Sequence, residues 1–466
     1  MLARRALLIA AATAEVAADE QLSGPGSHVA GGLALSVTAV GAVSSLGPAN
    51  QTNFSFATAG FGALTLRTRS AAAGGGAWSE ATFGVGKGSP KDAPTPIVPL
   101  PAGEWAAAEA SAGGHLSVEQ HWAPATDAAG GVRLWYTLRN NGSAPLELGG
   151  LAVSMPANEQ TGGNLETLAQ TASFADPYIG GDHGYLTMTR LTGRDGVLMV
   201  LGENSTGMEA FSDQWDPHAI STVKNAWVVH GKAFSEVEWA GAAGSWVNAT
   251  SATIPAGGSL TRSFRIILAE NGVQEKNAAL RAAGRPLLVS VPGYVVATDM
   301  TTVSLFVQPP ASATVTGATV VNDATPSAPP CMSVGGAKAP NKAGWIALPL
   351  TPTTPHCRCR VELRYSDGSF QVASYYVLPG LDKHLATFGK FQATTAFFDD
   401  DTDPFGRSPS VMPWNRKEKK HVLHDPRNFI VGLSDEGGAG ANVGFAIKQG
   451  FCPMQEELAQ LDRYIN

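Results

Sequence analysis

The chain has 466 residues, of which 44% are hydrophobic and 15% are charged, and it contains 53 glycines and 30 prolines. This composition is typical of folded protein with many turns, it excludes disorder outside the ends, and the length predicts two to four domains. A net charge of −7 gives no basic footprint for nucleic acid, so we expect a neutral partner.

The first residues have the layout of a secretion signal. Arg4 and Arg5 precede the apolar run ALLIAAATA, and small residues that suit cleavage follow as far as Ala18. The run is too short to span a bilayer, and no later segment is long and apolar enough to do so. We therefore predict a signal peptide over residues 1–18 and a secreted protein without a membrane span. An alanine-rich N-terminal helix is the alternative.

N-x-S/T glycosylation acceptors are a second sign of export, and all of them lie in the β-rich half of the chain. Together with a signal peptide they indicate a eukaryotic host. Glycosylation, and with it a surface position, is predicted at Asn50, Asn53, Asn141, Asn204 and Asn248.

From about Gly31 to Leu268 the sequence consists of short alternating strands separated by Gly, Asn, Pro and Asp clusters. A segment of this kind predicts a large antiparallel β-sandwich, which we place at residues 30–271. Within it, two strands flank Asn140-Asn141-Gly142, and this turn chemistry predicts a hairpin.

The segment GVQEKNAALRAAGR predicts a helical linker over residues 272–285. Residues 286–379 return to short strands at the spacing of a small immunoglobulin-like sandwich. The cysteines of this module indicate a disulfide between Cys331 and either Cys357 or Cys359. A zinc site is the rival interpretation, but the spacing of the last two cysteines does not fit a C-x2-C knuckle.

Residues 380–466 change to a helical period. The run LDKHLATFGKFQATTAFF places Leu385, Phe388 and Phe391 near one face, and Ser434 is placed to cap a second helix. A third helix after Pro453 has an apolar stripe. These helices are too few to bury a core, so we expect missing helical partners and a C-terminally truncated chain.

The loop before the second helix holds the densest acidic cluster, Asp399, Asp400, Asp401 and Asp403. An EF-hand is excluded, because Pro404 stands where that loop requires glycine and Ser410 where it requires glutamate. The cluster is therefore either a solvated turn or part of a sugar-binding rim, and we keep Asp399, Asp400 and Asp403 as candidate substrate contacts.

Asp435 and Glu436 are the candidate catalytic pair, since glycosidic cleavage commonly uses two carboxyl groups. Adjacent helical residues point about 100 degrees apart, so only one of the two can serve as the general acid at a given bond. The alternative is that both complement the dipole of the helix at its first turn.

Other side chains of this loop are candidates for binding or for proton transfer. Arg407 and Trp414 are candidate substrate contacts, and the rings of Phe397, Phe398 and Phe405 are apolar faces for sugars or ordinary packing. His421, His424 and Asp425 form either a base or metal site or structural histidines. We expect no metal and no cofactor.

Two stretches of the large sandwich, FADPYIGGDHGYL and WVVHGKAFSEVEWAG, are both polar and aromatic. They either face the helical domain and bind substrate or are ordinary strand ends. Their candidate residues are Asp176, Tyr178, Asp182, His183, His230, Glu236, Glu238 and Trp239.

The blocks DPYIGGDHGYLTMTRLTG, KAFSEVEWAGA, GRPLLVSVPGYVVATDM, FDDDTDPFGRSPSVM and GLSDEGGAGANVGFAIKQ, in this order, resemble a secreted family known mainly from fungi and bacteria. That family has no known function and is described as six-hairpin-glycosidase-like. The resemblance extends from about residue 30 to the end of the chain. It implies a galactose-mutarotase-like β-supersandwich, a small β module and an (α/α)6 toroid, of which this chain holds only the first helices.

The sequence therefore predicts a secreted, glycoside-hydrolase-like protein that acts on an oligo- or polysaccharide by carboxyl acid–base chemistry. Two alternatives remain. One is a non-catalytic carbohydrate-binding or surface interaction protein. The other is a polysaccharide lyase, in which His183 or His230 with Tyr178 is the more important group.

Overall fold

The computed structural model describes residues 26–37, 43–51, 53–71, 76–83, 98–99, 105–106, 109–110, 115–126, 130–159, 164–193, 196–215, 223–240, 247–322, 328–423 and 435–466. The predicted signal peptide, Ser434, His424 and Asp425 lie outside these ranges. The described chain is mainly β, with several antiparallel sheets, followed by a helical segment.

The large N-terminal domain is built almost entirely of strands, as the alternating sequence predicts. Its elements are β1 (Gly26–Ala30), β2 (Leu33–Val37), β3 (Val43–Pro48), β4 (Leu64–Ser70), β5 (Ser79–Phe83), β6 (Val98–Pro99), β7 (Trp105–Ala106), β8 (Glu109–Ala110), β9 (Leu116–Pro124), β10 (Val132–Asn140), β11 (Leu146–Ser154), α1 (Leu165–Thr171), β12 (Ser173–Tyr178), β13 (Tyr185–Arg190), β14 (Val197–Glu203), β15 (Ala210–Trp215), β16 (Val223–His230), α2 (Lys232–Glu236), β17 (Ala252–Ile254) and β18 (Ser259–Ala269).

Two large antiparallel sheets share one hydrophobic core in this domain. The first has the order β12-β13-β14-β18-β10-β9-β8; the second has the order β15-β16-β11-β4-β5, with β17 also paired to β11. The core contains buried side chains from both sheets. Trp227 of β16 meets Phe264 of β18 edge to face at a centroid distance of 5.3 Å. Such aromatic pairs contribute about 0.5–1.5 kcal/mol beyond the area they bury.

The predicted hairpin around Asn140-Asn141-Gly142 is wrong. β10 pairs with β9 and β18, whereas β11 pairs with β4, β16 and β17 of the other sheet. The amide of Asn140 donates to the carbonyl oxygens of Ala144 (2.8 Å) and Ile254 (3.1 Å), and its Oδ1 accepts from the Gly142 N–H (3.0 Å). This side chain holds the turn in a conformation that carries the chain across the core.

A short helical connection and a second pair of sheets follow the large domain. A single 3₁₀ turn (Val273–Glu275) leads into α3 (Lys276–Ala282), and two four-stranded sheets follow, in the orders β19-β21-β24-β23 and β20-β26-β25-β22. Their strands are β19 (Leu287–Val291), β20 (Val295–Ala297), β21 (Val303–Gln308), β22 (Val315–Asn322), β23 (Met332–Val334), β24 (Ile346–Pro352), β25 (Cys357–Tyr365) and β26 (Phe370–Leu378).

A disulfide joins Cys331 to Cys357, with 5.7 Å between the Cα atoms. Of the two partners that the sequence left open for Cys331, the structure selects Cys357. Cys359 is a buried thiol in the core of the small sandwich. Its place is explained by strand alternation, because Cys359 points inward from β25 with Val361 and Leu363.

The described residues of the C-terminal part form short strand pairs and three helices. Its elements are α4 (Leu381–Ala393), β27 (Phe397–Phe398), β28 (Ser410–Val411), β29 (Trp414–Asn415), β30 (Lys420–His421), α5 (Asp435–Phe451) and α6 (Gln455–Ile465).

The helices form where the sequence predicts them, but the buried face of α4 differs from the predicted one. Gly389, Gln392 and Ala393 are buried, whereas Phe388 is 41% exposed. The small residues allow α4 to approach α5 and α6 closely, which the spacing of the large apolar residues did not indicate. In the described residues, no helix is long and apolar enough to cross a membrane.

Candidate functional site

The stretch from Trp227 to Ala240 brings several polar groups together at the end of β16. The strand ends at His230, and Gly231 starts the turn into α2. A Cβ atom on Gly231 would lie 3.2 Å from Oε2 of Glu209 and 3.5 Å from the Trp239 ring. The absence of a side chain at this position therefore lets a carboxylate and an indole approach the same backbone turn.

Glu209 is the centre of this site. The residue is buried, with 8% of its surface exposed, and Oε2 accepts from the Gly231 N–H (2.8 Å) and the Thr250 N–H (3.0 Å). The Thr250 hydroxyl donates to Oε1. Burial raises the pKa of Glu209 to about 7, although these hydrogen bonds act in the opposite direction.

His230 and Arg262 extend the site by two more hydrogen bonds. Arg262 Nη2 lies 3.0 Å from His230 Nε2, and His230 Nδ1 lies 2.8 Å from the Thr250 hydroxyl oxygen. A guanidinium can only donate, so Nε2 accepts and Nδ1 carries the proton. Burial lowers the pKa of His230 to about 4, and the nearby Arg262 acts in the same direction. The imidazole is therefore neutral at physiological pH.

These four side chains, Glu209, His230, Thr250 and Arg262, form one directed chain of hydrogen bonds, which we name the Glu209 cluster. Arg262 donates to His230, His230 donates to Thr250, and Thr250 donates to Glu209. A carboxyl group with a pKa near neutrality can both give and take a proton under physiological conditions. The cluster therefore has the electrostatic character of an acid–base centre.

A second polar region lies beside the cluster, on the face of the β4–β11 pair that α2 covers; we name it the α2 surface. Arg67 binds Glu238 with both Nη atoms and lies over the Phe234 ring at 4.5 Å. Arg69 Nη1 donates to Glu236 (3.0 Å), and the Trp78 indole N–H donates to the same carboxylate (2.8 Å).

The acidic side chains of the α2 surface are paired with arginine or lysine side chains. Glu147 accepts from Lys232 (2.6 Å) and from Arg69 Nε (2.7 Å), and these two cations lower the pKa of its carboxyl group to about 2. The predicted contacts Glu236 and Glu238 are thus held by arginines, and Trp239 stacks on Phe234 at 5.4 Å.

The other predicted stretch of the sandwich meets the small β domain. The Tyr178 hydroxyl donates to the Val372 carbonyl (2.7 Å), Asp182 Oδ2 accepts from the Phe370 N–H (3.1 Å), and His183 Nε2 lies 2.9 Å from the Ser369 hydroxyl.

Of the two alternatives left open for this stretch, these contacts do not support the one in which the side chains face the helical domain. The turn that carries them lies against the start of β26, and Gly181 forms a β-bridge with Gln371 there. Asp176, two residues before Tyr178 on β12, has an exposed side chain.

The acidic loop is organised by local pairs. Asp403 binds Arg407 through both carboxylate oxygens (2.7 and 3.1 Å), which lowers the Asp403 pKa to about 2. Asp399 pairs with Arg463 of α6 (2.7 Å), and Asp400 accepts from the backbone and hydroxyl of Thr402. These acids stabilise the loop and its contact with α6.

Trp414 and His421 lie together at the other end of this loop. Their rings meet edge to face at 5.0 Å, and His421 also contacts Phe398 at 5.4 Å. Asp435 and Glu436 open α5, as predicted, and their side chains lie outside what is described, as do His424 and Asp425. Among the described residues, no three metal-ligating side chains converge.

Sequence reasoning found His230 and Trp239 but missed Glu209, Thr250 and Arg262. Glu209 is separated from Gly231 by 22 positions and from Thr250 by 41. No local pattern marks a carboxylate that is buried by residues so distant in sequence. The one available signal was that Thr250 completes the Asn248 acceptor, which indicates a turn at the surface.

Comparison with known proteins identifies a family to which the sequence matches and a solved structure with a similar fold. The sequence model of a family of unknown function, DUF5695, matches residues 51–466. No curated protein matches the sequence. The chain is similar in structure to a polysaccharide lyase, with a TM-score of 0.65 and 12% sequence identity. The match covers 94% of this chain and 60% of the lyase, so the chain spans less than two thirds of that protein.

Proposed function

We propose that this chain, which belongs to a family of unknown function (DUF5695), is a carbohydrate-active protein that acts on an oligo- or polysaccharide. The observation that carries the proposal is the structural similarity to a polysaccharide lyase over 94% of the chain. Fold alone does not define chemistry, so the residues that could transfer protons are the second support. The Glu209 cluster supplies such residues in this chain.

The reaction class that we favour is β-elimination on a uronate-containing polysaccharide, which departs from the neutral partner that the net charge of −7 led us to expect. In that reaction a base removes the proton next to the uronate carboxyl group, the bond to the leaving oxygen breaks, a carbon–carbon double bond forms, and an acid protonates the oxygen. Glu209 has a pKa of about 7 and can serve as the proton-transfer group. This assignment replaces Asp435 and Glu436 as our first choice.

Glycoside hydrolysis is the second candidate. Its support is the same raised pKa, since hydrolysis also needs a carboxyl group that is protonated near neutral pH. The two reactions leave different products. Elimination creates an unsaturated uronate that absorbs in the ultraviolet, whereas hydrolysis consumes water and leaves a saturated reducing end.

The test is to incubate the full chain with acidic and neutral polysaccharides and to record ultraviolet absorbance and reducing ends in parallel. Both signals rising together supports elimination, and reducing ends alone support hydrolysis. Glu209→Gln should reduce the rate at least about 100-fold if this carboxyl transfers the proton, and Glu275→Gln in the linker is the matched control. Binding of a polysaccharide without turnover selects the non-catalytic alternative.

We also propose that the protein is exported. All five predicted glycosylation acceptors have exposed asparagines, and Cys331 is bonded to Cys357, as is common in oxidising compartments. Expression in a eukaryotic secretory host, followed by enzymatic removal of N-glycans, tests this directly. Secreted protein that loses mass on this treatment supports export, and retention of unglycosylated protein in the cell contradicts it.

A further inference from the structure

A cavity opens between the first three strands and helix α1, away from the residues described above. Its volume is about 710 Å³, and its lining comes from β1, β2, β3 and α1 and from the residues Gln51, Asn53, Phe54 and Ser55. Small-molecule sites commonly measure about 300–1,000 Å³. The cavity shares no lining residue with the Glu209 cluster or the α2 surface.

The lining of this cavity has a distinctive chemistry. Among the described residues that line it there is no Asp, Glu, Lys or Arg, and His28 is the only ionisable side chain of that described lining. The remaining polar side chains are hydroxyls and neutral amides: Ser27, Ser36, Ser45, Ser55, Thr167, Thr171, Gln51, Asn53 and Asn158. Leu35, Pro48 and Phe54 contribute apolar surface to the same lining.

Several of these groups hold the walls in place. The Ser55 hydroxyl accepts from the Leu46 N–H (2.8 Å) and donates to the Ala57 carbonyl (2.5 Å). Asn158 Nδ2 donates to the Thr171 carbonyl (2.7 Å), which ties the base of the cavity to α1. The walls are therefore fixed by bonds within the protein.

Other polar groups remain available to a ligand. Gln51 uses Oε1 to accept from Arg190 (2.9 Å), and its Nε2 amide has no partner within the described part of the chain. The same holds for the hydroxyl of Ser45, as far as the described residues show. The cavity thus combines fixed walls with uncommitted neutral donors and acceptors.

We propose that this cavity binds a neutral saccharide, a class of ligand that rests on the proposed carbohydrate function. A charged ligand would lose water without gaining an opposite charge from any described lining residue other than His28. Arg190 contacts the lining residues Gln51 and Phe54, but it does not itself line the cavity. An apolar ligand would leave the hydroxyls and amides without partners. A neutral sugar avoids both costs. It carries no charge to desolvate, its hydroxyls can pair with the polar lining, and its C–H faces can contact the apolar lining residues.

The test is calorimetric titration of the full chain with neutral oligosaccharides of glucose, xylose, mannose and galactose, and with oligogalacturonate as the acidic probe. Ser45→Trp fills the cavity from β3, and Thr167→Trp fills it from the exposed surface of α1. Ser44→Trp is the matched control, because the neighbouring Ser44 is exposed and does not line the cavity.

We expect one neutral oligosaccharide to bind, and each filling variant to weaken that binding at least about tenfold while Ser44→Trp leaves it unchanged. If Ser45→Trp does not fold, Thr167→Trp decides the question. The proposal fails if no neutral probe binds, if only the acidic probe responds to filling, or if the control weakens binding equally. Turnover is scored separately, so lost turnover with intact binding overturns only the proposed reaction.

Discussion

Thr250 holds Glu209 with two different groups: its backbone N–H donates to Oε2 at 3.0 Å, and its hydroxyl donates to Oε1. The carboxylate also accepts from the Gly231 N–H. One buried acid therefore fixes both the start of α2 and the turn that leads into β17. The raised pKa of this acid makes the strength of that junction depend on pH.

Glu209→Gln should change the pH dependence of stability. The Glu209 pKa rises from 4.5 to about 7 on folding, so its stabilising contribution is complete below pH 4.5 and is lost as the pH rises through 7. The full loss amounts to about 3 kcal/mol. Gln cannot ionise, so the variant lacks this contribution at every pH. The difference in the free energy of unfolding, wild type minus variant, should therefore fall by about 3 kcal/mol between pH 4 and 8.

Urea denaturation across this pH range measures that difference. Subtracting the variant removes the contributions of other titrating groups, including His230, whose pKa shift has the opposite effect on stability. A difference that is flat with pH would show that Glu209 titrates normally and is not the buried acid described above.

His183→Gln should make the contact between the large sandwich and the small β domain less sensitive to acid. Burial, together with the nearby Arg285, lowers the pKa of His183 from 6.5 to about 4. The neutral ring therefore contributes stability that is complete above pH 6.5 and is lost as the pH falls through 4. The wild type should lose up to about 3 kcal/mol more than the variant over this interval.

The measurement is the melting temperature of both proteins from pH 7 to pH 4. His115→Gln is the matched control, since His115 is exposed on the large sandwich. Equal acid sensitivity in the wild type and His183→Gln would mean that His183 is solvated and does not pack against Ser369 or against the Tyr365 ring, which lies 5.2 Å from the imidazole.

The sequence predicted the fold where the signal is local. Alternating residues gave the strands of both sandwiches, and the linker helix and α4 to α6 form at the predicted places. The hairpin at Asn140 failed because turn chemistry specifies a change of direction but does not specify which strand becomes the neighbour. Sheet pairing is decided by the burial of the whole core, which no single turn encodes.

The site was less predictable than the fold, and the reason is distance along the chain. His230 and Trp239 stood out because aromatic and polar residues are clustered in their own stretch. Glu209 is an ordinary glutamate until β16 and the turn at Thr250 enclose it. Its buried environment, and therefore its pKa, exists only in the folded protein.

Removing the disulfide with the pair Cys331→Ser and Cys357→Ser should destabilise the small sandwich. The bond links residues 26 positions apart, and a loop of that length corresponds to about 3 kcal/mol of stabilisation through the unfolded chain. Thermal unfolding with and without reductant measures this. Reductant should lower the melting temperature of the wild type but not of the double variant. An equal response in both proteins would contradict a stabilising role for this bond.

Gly389→Ala should destabilise the packing of the three C-terminal helices. A Cβ atom on Gly389 of α4 would lie 2.4 Å from the carboxylate oxygens of Glu457 in α6. That carboxylate is buried in an ion pair with Lys448 of α5 and accepts from Gln449 Nε2 at 2.6 Å. A methyl group must therefore displace a buried charge from its partners, at a cost of about 1–3 kcal/mol in the free energy of unfolding.

Gly444→Ala in α5 is the matched control, because nothing lies within 4 Å of its added Cβ atom. In a helix interior this replacement should stabilise by about 0.5–1 kcal/mol. Urea denaturation, with hydrogen exchange of the α4 and α6 amides, separates the two effects. We expect the free energy of unfolding to fall in Gly389→Ala and to rise in Gly444→Ala. Both variants remove a flexible glycine, but only Gly389→Ala places a methyl group against the Lys448–Glu457 pair. If Gly389→Ala stabilises as much as the control, α4 does not lie against Glu457.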